Sequence, residues 1–359
     1  MTNPGGPGAT PAQPARGTPA EPARGTPAQP ARGTLLQRAR AALVVGLGSI
    51  LAHLPASVVG GLSDAVGEAW YRLAPGRASV ARGNLAHVAE WLAAEGRGSA
   101  RARAAAADPK ILERLVRVAF HHSVRTYAES LRGAAEARHV RDHVVIDSPE
   151  VFDAAFAAGG PVVFATPHFG SMTAVIIVLG MHTKVPVTAP METIGDPELQ
   201  RILRRARESG GARTVVLAEA RRELRAALAR GEGVGLVADR DFAGGGVPVT
   251  LFGLPASLPI GPAYLALDAG APLHVAAVWR SPGDSFRGRL LTLSHPPSDL
   301  PRRTRIEVLL RAEAAAFEDL VAPAPEQWWT VFFPIWDAVG PRPRSPRRAA
   351  PRPAPEERT

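Results

Sequence analysis

The chain has 359 residues, 46% of them hydrophobic, which is enough for one large domain or two smaller ones with a substantial core. It contains no cysteine, so disulfides, thiolate catalysis and cysteine-ligated metal sites are excluded. The formal net charge is +9, of which residues 1–33 contribute +2 and residues 340–359 contribute +4. The remaining +3 is ordinary for a soluble or membrane-surface domain, and no nucleic-acid-binding motif is present, so we expect no nucleic-acid partner.

Both ends of the chain are rich in proline, alanine and arginine. Residues 9–34 repeat a Thr-Pro-Ala-Gln/Glu-Pro-Ala-Arg-Gly unit, and a short proline-rich repeat cannot bury a core. We therefore predict a disordered Pro/Ala/Gly repeat tail over residues 1–34 and a disordered basic tail over residues 339–359. No basic region followed by an apolar one begins the chain, so we expect no signal peptide and a catalytic part on the cytoplasmic side.

A long apolar segment, residues 35–73, follows the first tail. Residues 41–62 contain no charged side chain other than a histidine, and Arg38 and Arg40 precede them. Pro55 and four glycines disfavour one straight span. We predict two shorter helices that lie at the interface of an anionic membrane and hold the protein peripherally on its cytoplasmic face. Core helices and a true membrane span are the alternatives.

In the rest of the chain the sequence pattern is first helical and then a mixture of strands and helices. Residues 76–135 place apolar side chains at helical spacing, whereas later segments are short β-branched or apolar runs, with helical stretches such as 196–209 and 218–230 between several of them. This alternation predicts an α/β domain with a mostly buried sheet. We divide the body into a membrane-associating segment with a helical cap, residues 35–140, and an α/β domain, residues 141–338.

His168 is the first candidate for chemistry. It lies just past the apolar run PVVFAT of residues 161–166, and Gly170 and a helical run follow it. Catalytic groups of α/β folds collect at the carboxyl ends of strands, and a histidine there can act as a general base at neutral pH. The alternative is a loop histidine with no catalytic role.

Asp239 is the second candidate, because it follows another apolar run, GVGLVA. If the two strands are neighbours, Asp239 lies beside His168, where it would hold the imidazole tautomer and stabilise the imidazolium. A capping aspartate is the alternative. Arg240 either binds a phosphate of the substrate or pairs with Asp241. The glycines 244–246 predict a hairpin turn and not a P-loop, since no Lys-Ser/Thr follows them.

In their order and spacing these motifs resemble those of the bacterial lipid A lauroyl/myristoyl acyltransferases and, more closely, of the actinobacterial phosphatidylinositol mannoside acyltransferases. The resemblance extends over roughly residues 35–338. The segment Pro167-His168-Phe169-Gly170 is similar to the start of the family's histidine motif, and residues 238–241 with 246–253 are similar to its second acidic motif. Further similar segments are Arg82-x-Asn84-Leu85, Glu192 with Arg207-Glu208-Ser209, Pro259-x-Gly261-Pro262-Ala263, Pro325-Glu326-Gln327-Trp328-Trp329 and Pro334-x-Trp336.

The resemblance implies an acyltransferase-type sheet flanked by helices. It also implies O-acyl transfer from a thioester donor, acyl-CoA or acyl carrier protein, to a hydroxyl of a membrane glycolipid such as phosphatidylinositol mannoside. Acyl-CoA would be a co-substrate, so no bound cofactor and no metal are expected. The residues assigned on this basis are His168 and Asp239 as catalytic groups, and Glu192, Arg207, Arg240 and Gly170 as substrate-binding groups.

Thr173 departs from the family pattern, which has an aspartate or glutamate at this distance from the histidine. Threonine supplies no negative charge, so either Asp239 suffices as the partner of His168, which we favour, or the chain is a catalytically weak or inactive lipid-binding relative. A serine esterase is a weaker alternative, because no Gly-x-Ser-x-Gly motif occurs.

Overall fold

The structure, a computed structural model, describes residues 33–157, 159–241 and 244–339. The two predicted tails lie outside these residues except for their innermost positions. Thr34 is one of these, and its side chain accepts a hydrogen bond from the Gln37 amide while the Gln37 side chain accepts one from the Thr34 amide. This reciprocal pair caps the first helix.

Six helices precede the first strand in the part of the chain that the structure describes. Pro55 separates the first two, as the sequence predicts, and Asn84 ties the third to the end of the domain by donating to the carbonyls of Val331 and Phe333. The helices are α1 (Leu35–His53), α2 (Ala56–Leu73), α3 (Pro75–Ala94), α4 (Ala100–Ala104), α5 (Pro109–Arg132) and α6 (Ala134–His143).

The remaining elements confirm the α/β fold. Seven strands form one sheet in the order β1-β9-β8-β2-β5-β3-β4, in which only the β8–β9 pair is antiparallel. The elements are β1 (Val144–Ile146), α7 (Pro149–Ala157), β2 (Val162–Thr166), α8 (Met172–His182), β3 (Val187–Met191), α9 (Pro197–Ser209), β4 (Ala212–Val216), α10 (Ala220–Ala229), β5 (Gly233–Val237), β6 (Val247–Leu251), β7 (Leu254–Leu258), α11 (Gly261–Ala269), β8 (Leu273–Ser281), β9 (Ser285–Leu293) and α12 (Arg302–Val321).

Strand β2 lies in the middle of the sheet, and all five of its residues are buried. It pairs in parallel with β5, with Val162 opposite Gly233 and Thr166 opposite Val237. The carboxyl ends of both strands therefore reach the same edge of the sheet, which is the arrangement that brings Asp239 beside His168. The residues that follow these strands are brought together although they are far apart in the chain.

The hairpin of β6 and β7 lies elsewhere than the sequence predicts. The two strands are joined at Phe252 and Gly253, both with positive φ, so the predicted turn at glycines 244–246 is wrong as the hairpin turn. Those glycines form a separate turn whose amides donate to the Asp241 carboxylate. Three closely spaced glycine amides suit the binding of a carboxylate better than they suit a two-residue hairpin turn.

The helical part and the sheet share one hydrophobic core. Residues of α3 and α5 pack in the same cluster as β2, β5, β8 and α12. Trp328 and Trp336, each 1% exposed, belong to this core, so both tryptophans pack inside the domain. The cap and the sheet are therefore stabilised together.

Glu313 on α12 is a carboxyl group enclosed in this core. It is 0% exposed, and neither of its oxygens has a hydrogen-bond partner among the described residues. Burial raises the pKa of Glu313 well above its ordinary value of 4.5, and the negative charge of Asp239 raises it further. The carboxyl group is therefore neutral at and above the pH at which an exposed glutamate ionises.

We expect Glu313→Gln to stabilise the protein more at pH 8 than at pH 5. Because its pKa is raised in the folded state, ionisation favours the unfolded chain as pH increases above about 4.5, and the amide removes this penalty. Thermal unfolding of both proteins at the two pH values measures the effect. An equal change in Tm at both values would contradict a neutral Glu313.

Candidate active site

His168 and Asp239 meet at the carboxyl edge of the sheet. The Nδ1 atom of His168 lies 2.6 Å from Oδ1 of Asp239, and the backbone N–H of His168 donates to Oδ2 at 3.0 Å. We assign the Nδ1 proton to this hydrogen bond, because an ionised carboxylate can only accept. The Nε2 atom, on the opposite side of the ring, is then the nitrogen that can take a proton.

Asp239 is held rigidly by donors from the last segment of the domain. The indole Nε1 of Trp328 and the hydroxyl of Thr330 both donate to its Oδ2 atom at 2.7 Å. Asp239 is 2% exposed. The Trp328-Trp329-Thr330 segment thus completes the site, and the indole ring of Trp329 lies 5.4 Å from the His168 ring.

These contacts keep Asp239 ionised. Burial by itself would raise its pKa, but the charge of His168 and the hydrogen bonds from His168, Thr330 and Trp328 outweigh that effect and lower the pKa below its ordinary value of 3.8. The ionised carboxylate therefore stabilises the folded protein at pH values above the ordinary pKa of an aspartate. This stabilisation is lost as the pH falls through the lower pKa that Asp239 has in the folded state.

Arg240 follows Asp239 and stacks on an aromatic ring. Its guanidinium carbon lies 3.7 Å from the centre of the Phe333 ring, and Arg77 lies 5.3 Å from the same centre. Burial lowers the pKa of Arg240, the charges of Asp239 and Glu192 oppose this, and Arg77 adds to it. Two guanidinium groups on one phenyl ring give this edge of the site a positive potential.

Glu192 and Arg207 interact through their charges. Glu192 directly follows β3, the strand beside β5, and its charge acts on both Arg207 and Arg240. The crowding of protein atoms around Arg207 lowers its pKa although the residue remains exposed, and Glu192 opposes that shift. Three of the four predicted substrate-binding residues are thus linked by charge, and one of them, Arg240, directly follows Asp239. Their role in binding stays a prediction.

Gly170 has a steric role in the structure. Its φ is +67°, and a Cβ atom there would lie 2.2 Å from the carbonyl oxygen of Val278. The Gly170 amide donates to the Gln327 carbonyl, and the Ser171 amide donates to the Val278 carbonyl. Both N–H groups are engaged, so a developing oxyanion needs other donors. Substrate binding by Gly170 stays a prediction.

A carboxylate that was not predicted from the sequence contacts the loop after His168. Glu129 on α5 accepts from the Ser171 hydroxyl at 2.7 Å and pairs with Arg280 at the end of β8 through contacts of 2.5 and 2.7 Å. The Thr173 hydroxyl instead contacts the Ser130 hydroxyl at 3.0 Å. The loop after His168 therefore has an acidic partner that comes from another element. The only signal for it in the sequence is an acid at a buried position of an amphipathic helix.

Comparison with known proteins identifies the family of this chain. The model of the family described as bacterial lipid A biosynthesis acyltransferase matches residues 31–336, which is most of the chain. The chain belongs to this family. The matched range includes every residue of the site described above, and the resemblance of the sequence motifs is thereby confirmed.

Curated members of similar sequence carry one common name. A phosphatidylinositol mannoside acyltransferase from Mycobacterium tuberculosis is 30% identical over 190 residues, which cover 51% of this chain and 57% of that protein. The protein of that name from Mycolicibacterium smegmatis is 29% identical over 198 residues, covering 54% of this chain and 62% of that protein. The similarity thus spans less than two thirds of the length of these relatives.

Proposed function

We propose that this protein transfers a fatty acyl chain from a thioester donor, acyl-CoA or acyl carrier protein, to a hydroxyl of a membrane glycolipid such as phosphatidylinositol mannoside. The observation that carries the proposal is the His168–Asp239 pair at the sheet edge of a chain that belongs to the acyltransferase family. The names of the mycobacterial relatives support a glycolipid acceptor.

The proposed reaction needs one proton acceptor and no enzyme nucleophile. The Nε2 atom of His168 takes the proton of the acceptor hydroxyl as its oxygen attacks the thioester carbonyl. Asp239 stabilises the imidazolium that forms. The tetrahedral intermediate then expels the thiolate, which receives the proton from His168, and the products are an ester and a free thiol.

We assign Arg240, Arg207 and Glu192 to substrate binding. Arg240 presents a partly buried cation beside Asp239, where a phosphate group of the donor or the acceptor would find a complementary charge. The negative charge of Glu192 acts on both arginines. Its carboxylate can accept a hydrogen bond from a sugar hydroxyl. Transfer of label from acyl-CoA and, separately, from acyl carrier protein to a lipid extract would identify the donor.

The alternative is a lipid-binding relative without activity, for which Thr173 is the supporting observation. The intact His168–Asp239 pair favours the enzyme. An absence of labelled lipid with either donor, from a protein that still binds membranes, would favour the lipid-binding protein.

We also propose peripheral membrane binding through α1. Within the part of the chain that the structure describes, α1 is the one helix long and apolar enough to cross a membrane by length and composition. Leu36, Leu43 and Ile50, which are 80%, 75% and 61% exposed, fall on one face at intervals of seven residues. An apolar face of this kind suits a helix that lies in the interface.

We expect the triple variant Leu36→Gln, Leu43→Gln and Ile50→Gln to bind anionic vesicles at least about 100-fold more weakly, since burying each such side chain contributes roughly 1.5–3 kcal/mol. Vesicle flotation measures this. The matched control replaces Val145, Met181 and Leu217, which are also exposed but lie on other elements. Equal flotation of both variants would contradict the proposal, and extraction only by detergent would favour a spanning helix.

A further inference from the structure

A polar cavity whose lining includes neither His168 nor Asp239 lies beneath α2. Its volume is about 220 Å³, and it is enclosed by the start of α2, by α5 and α6, and by the turn between β8 and β9. The α2 wall is made of small residues, among them Ala56, Gly60 and Ser63, which leave the space open. A volume of this order suits one six-membered ring and not a whole lipid.

The charges around this cavity offset one another in part. Its walls carry three arginines and three acids, which are Arg125, Arg132, Arg280, Glu129, Glu136 and Asp284. Glu129, Arg132 and Glu136 are all more than nine-tenths buried. Burial raises the pKa of Glu136 to about 8, so at neutral pH the three arginines face two ionised acids. The small remaining positive charge suits a hydroxylated ring that is linked to a lipid phosphate.

The lining offers both donors and acceptors to such a group. Arg132 is anchored by donating to the carbonyls of Leu51 and Leu54 at the end of α1, and it contacts Glu136 at 2.9 Å. The Oε1 atom of Glu136 is buried with no hydrogen-bond partner among the described residues. Phe286 and Val59 supply apolar surface nearby. Adjacent donors, acceptors and an apolar face fit the hydroxyls and C–H groups of a polyhydroxylated ring.

The position of the cavity connects it to both the membrane face and the catalytic edge. Helix α2, which forms one wall, exposes Val58, Leu62 and Val66 on its outer side. At the opposite wall, Arg280 also donates to the carbonyl of Gly170, two residues after His168. A lipid in the interface beside α2 can therefore present its head group here.

We propose that this cavity binds one hydroxylated six-membered ring of a membrane lipid head group, as a recognition subsite apart from the reacting hydroxyl. The assignment of that lipid as the acyl acceptor rests on the proposed function. Ring binding is a separate property and does not require turnover.

The test compares vesicles of phosphatidylcholine that contain either phosphatidylinositol or phosphatidylglycerol. The two lipids carry the same phosphodiester charge, and only the first has a cyclohexane-polyol ring. We expect about tenfold tighter association of the full-length protein with the inositol lipid, the effect of one or two net hydrogen bonds, and competition by free myo-inositol but not by glycerol.

A matched pair of variants locates the binding site. Gly60→Leu would fill the cavity, because a Cβ atom there meets Arg125 at an ordinary 3.7 Å and the longer side chain extends into the space. Gly61→Leu makes the same change at a neighbouring position where a Cβ atom meets nothing within 4 Å. We expect the preference for the inositol lipid to disappear in the first variant and to persist in the second.

The outcomes separate this inference from the proposed enzyme activity. Equal association with both lipids and no competition by myo-inositol in the unmodified protein would overturn the inference, whatever the variants do. A preference that survives in Gly60→Leu would also overturn it. Acyl transfer measured on the same preparations tests the proposed function alone, because turnover without ring preference contradicts only the subsite, and ring preference without turnover contradicts only the activity.

Discussion

His168→Ala is expected to abolish acyl transfer and leave the fold intact. Among the described side chains that contact Asp239, the imidazole is the one that can take the proton of an attacking hydroxyl. Loss of a general base costs about 10²–10⁴-fold in rate. The side chain lies at a strand end and is partly exposed, so its removal disturbs little packing. Steady-state transfer from labelled acyl-CoA measures the loss.

A structural control accompanies this variant. Circular dichroism and thermal unfolding of His168→Ala should match those of the parent protein, apart from a modest change caused by the lost hydrogen bond to Asp239. A folded variant with unchanged turnover would end the assignment of His168 as the base.

Asp239→Asn is expected to lose most of the activity, by about 10²–10⁴-fold. Oδ2 of Asp239 accepts from the His168 amide, Trp328 and Thr330, so the amide oxygen of an asparagine must take that place. The NH₂ group then faces Nδ1 of His168 and makes it an acceptor. The proton moves to Nε2, which can no longer act as a base.

Thr173→Val provides the matched control. The Thr173 hydroxyl contacts Ser130, and Ser130 keeps its bond to the Thr126 carbonyl when that contact is lost. We expect a stability change of about 1 kcal/mol and little loss of rate. A Thr173→Val protein as inactive as Asp239→Asn would show that the wrong partner has been assigned to His168.

The reverse substitution, Thr173→Asp, tests whether the neutral residue is an adaptation. It restores the acid of the family motif, but Glu129 already places a carboxylate on Ser171, two residues earlier. The carboxylates of Glu129 on α5 and of an aspartate at position 173 in α8 would repel each other. We therefore expect lower activity, and a rise in rate would show that Thr173 is a defect.

The fold and the central pair of the site could be predicted because they depend on local patterns. Alternating apolar and helical runs specify a sheet with parallel strands, and parallel strands bring their carboxyl ends to one edge. From the sequence, His168 and Asp239 meet if their two strands are neighbours, and β2 and β5 do pair in the structure. The same patterns placed the break between α1 and α2 at Pro55.

The remaining features depend on long-range packing that a single sequence does not display. Glu129 and Arg280 are 151 residues apart, and nothing in the spacing of charges marks them as partners. The engaged amide of Gly170 follows from the approach of Gln327, which belongs to the last segment of the domain. The prediction of a hairpin at glycines 244–246 was wrong because a turn that binds an aspartate carboxylate and a hairpin turn use the same residue types.

The acyl transfer that we propose depends on the His168–Asp239 pair. The most direct measurement incubates the purified full-length protein with labelled acyl-CoA and a membrane lipid extract, with His168→Ala and Asp239→Asn in parallel. We predict a labelled lipid ester and an equivalent amount of free CoA from the parent protein, and neither product above background from the two variants. Equal amounts of labelled lipid from the parent and from both folded variants would contradict the account.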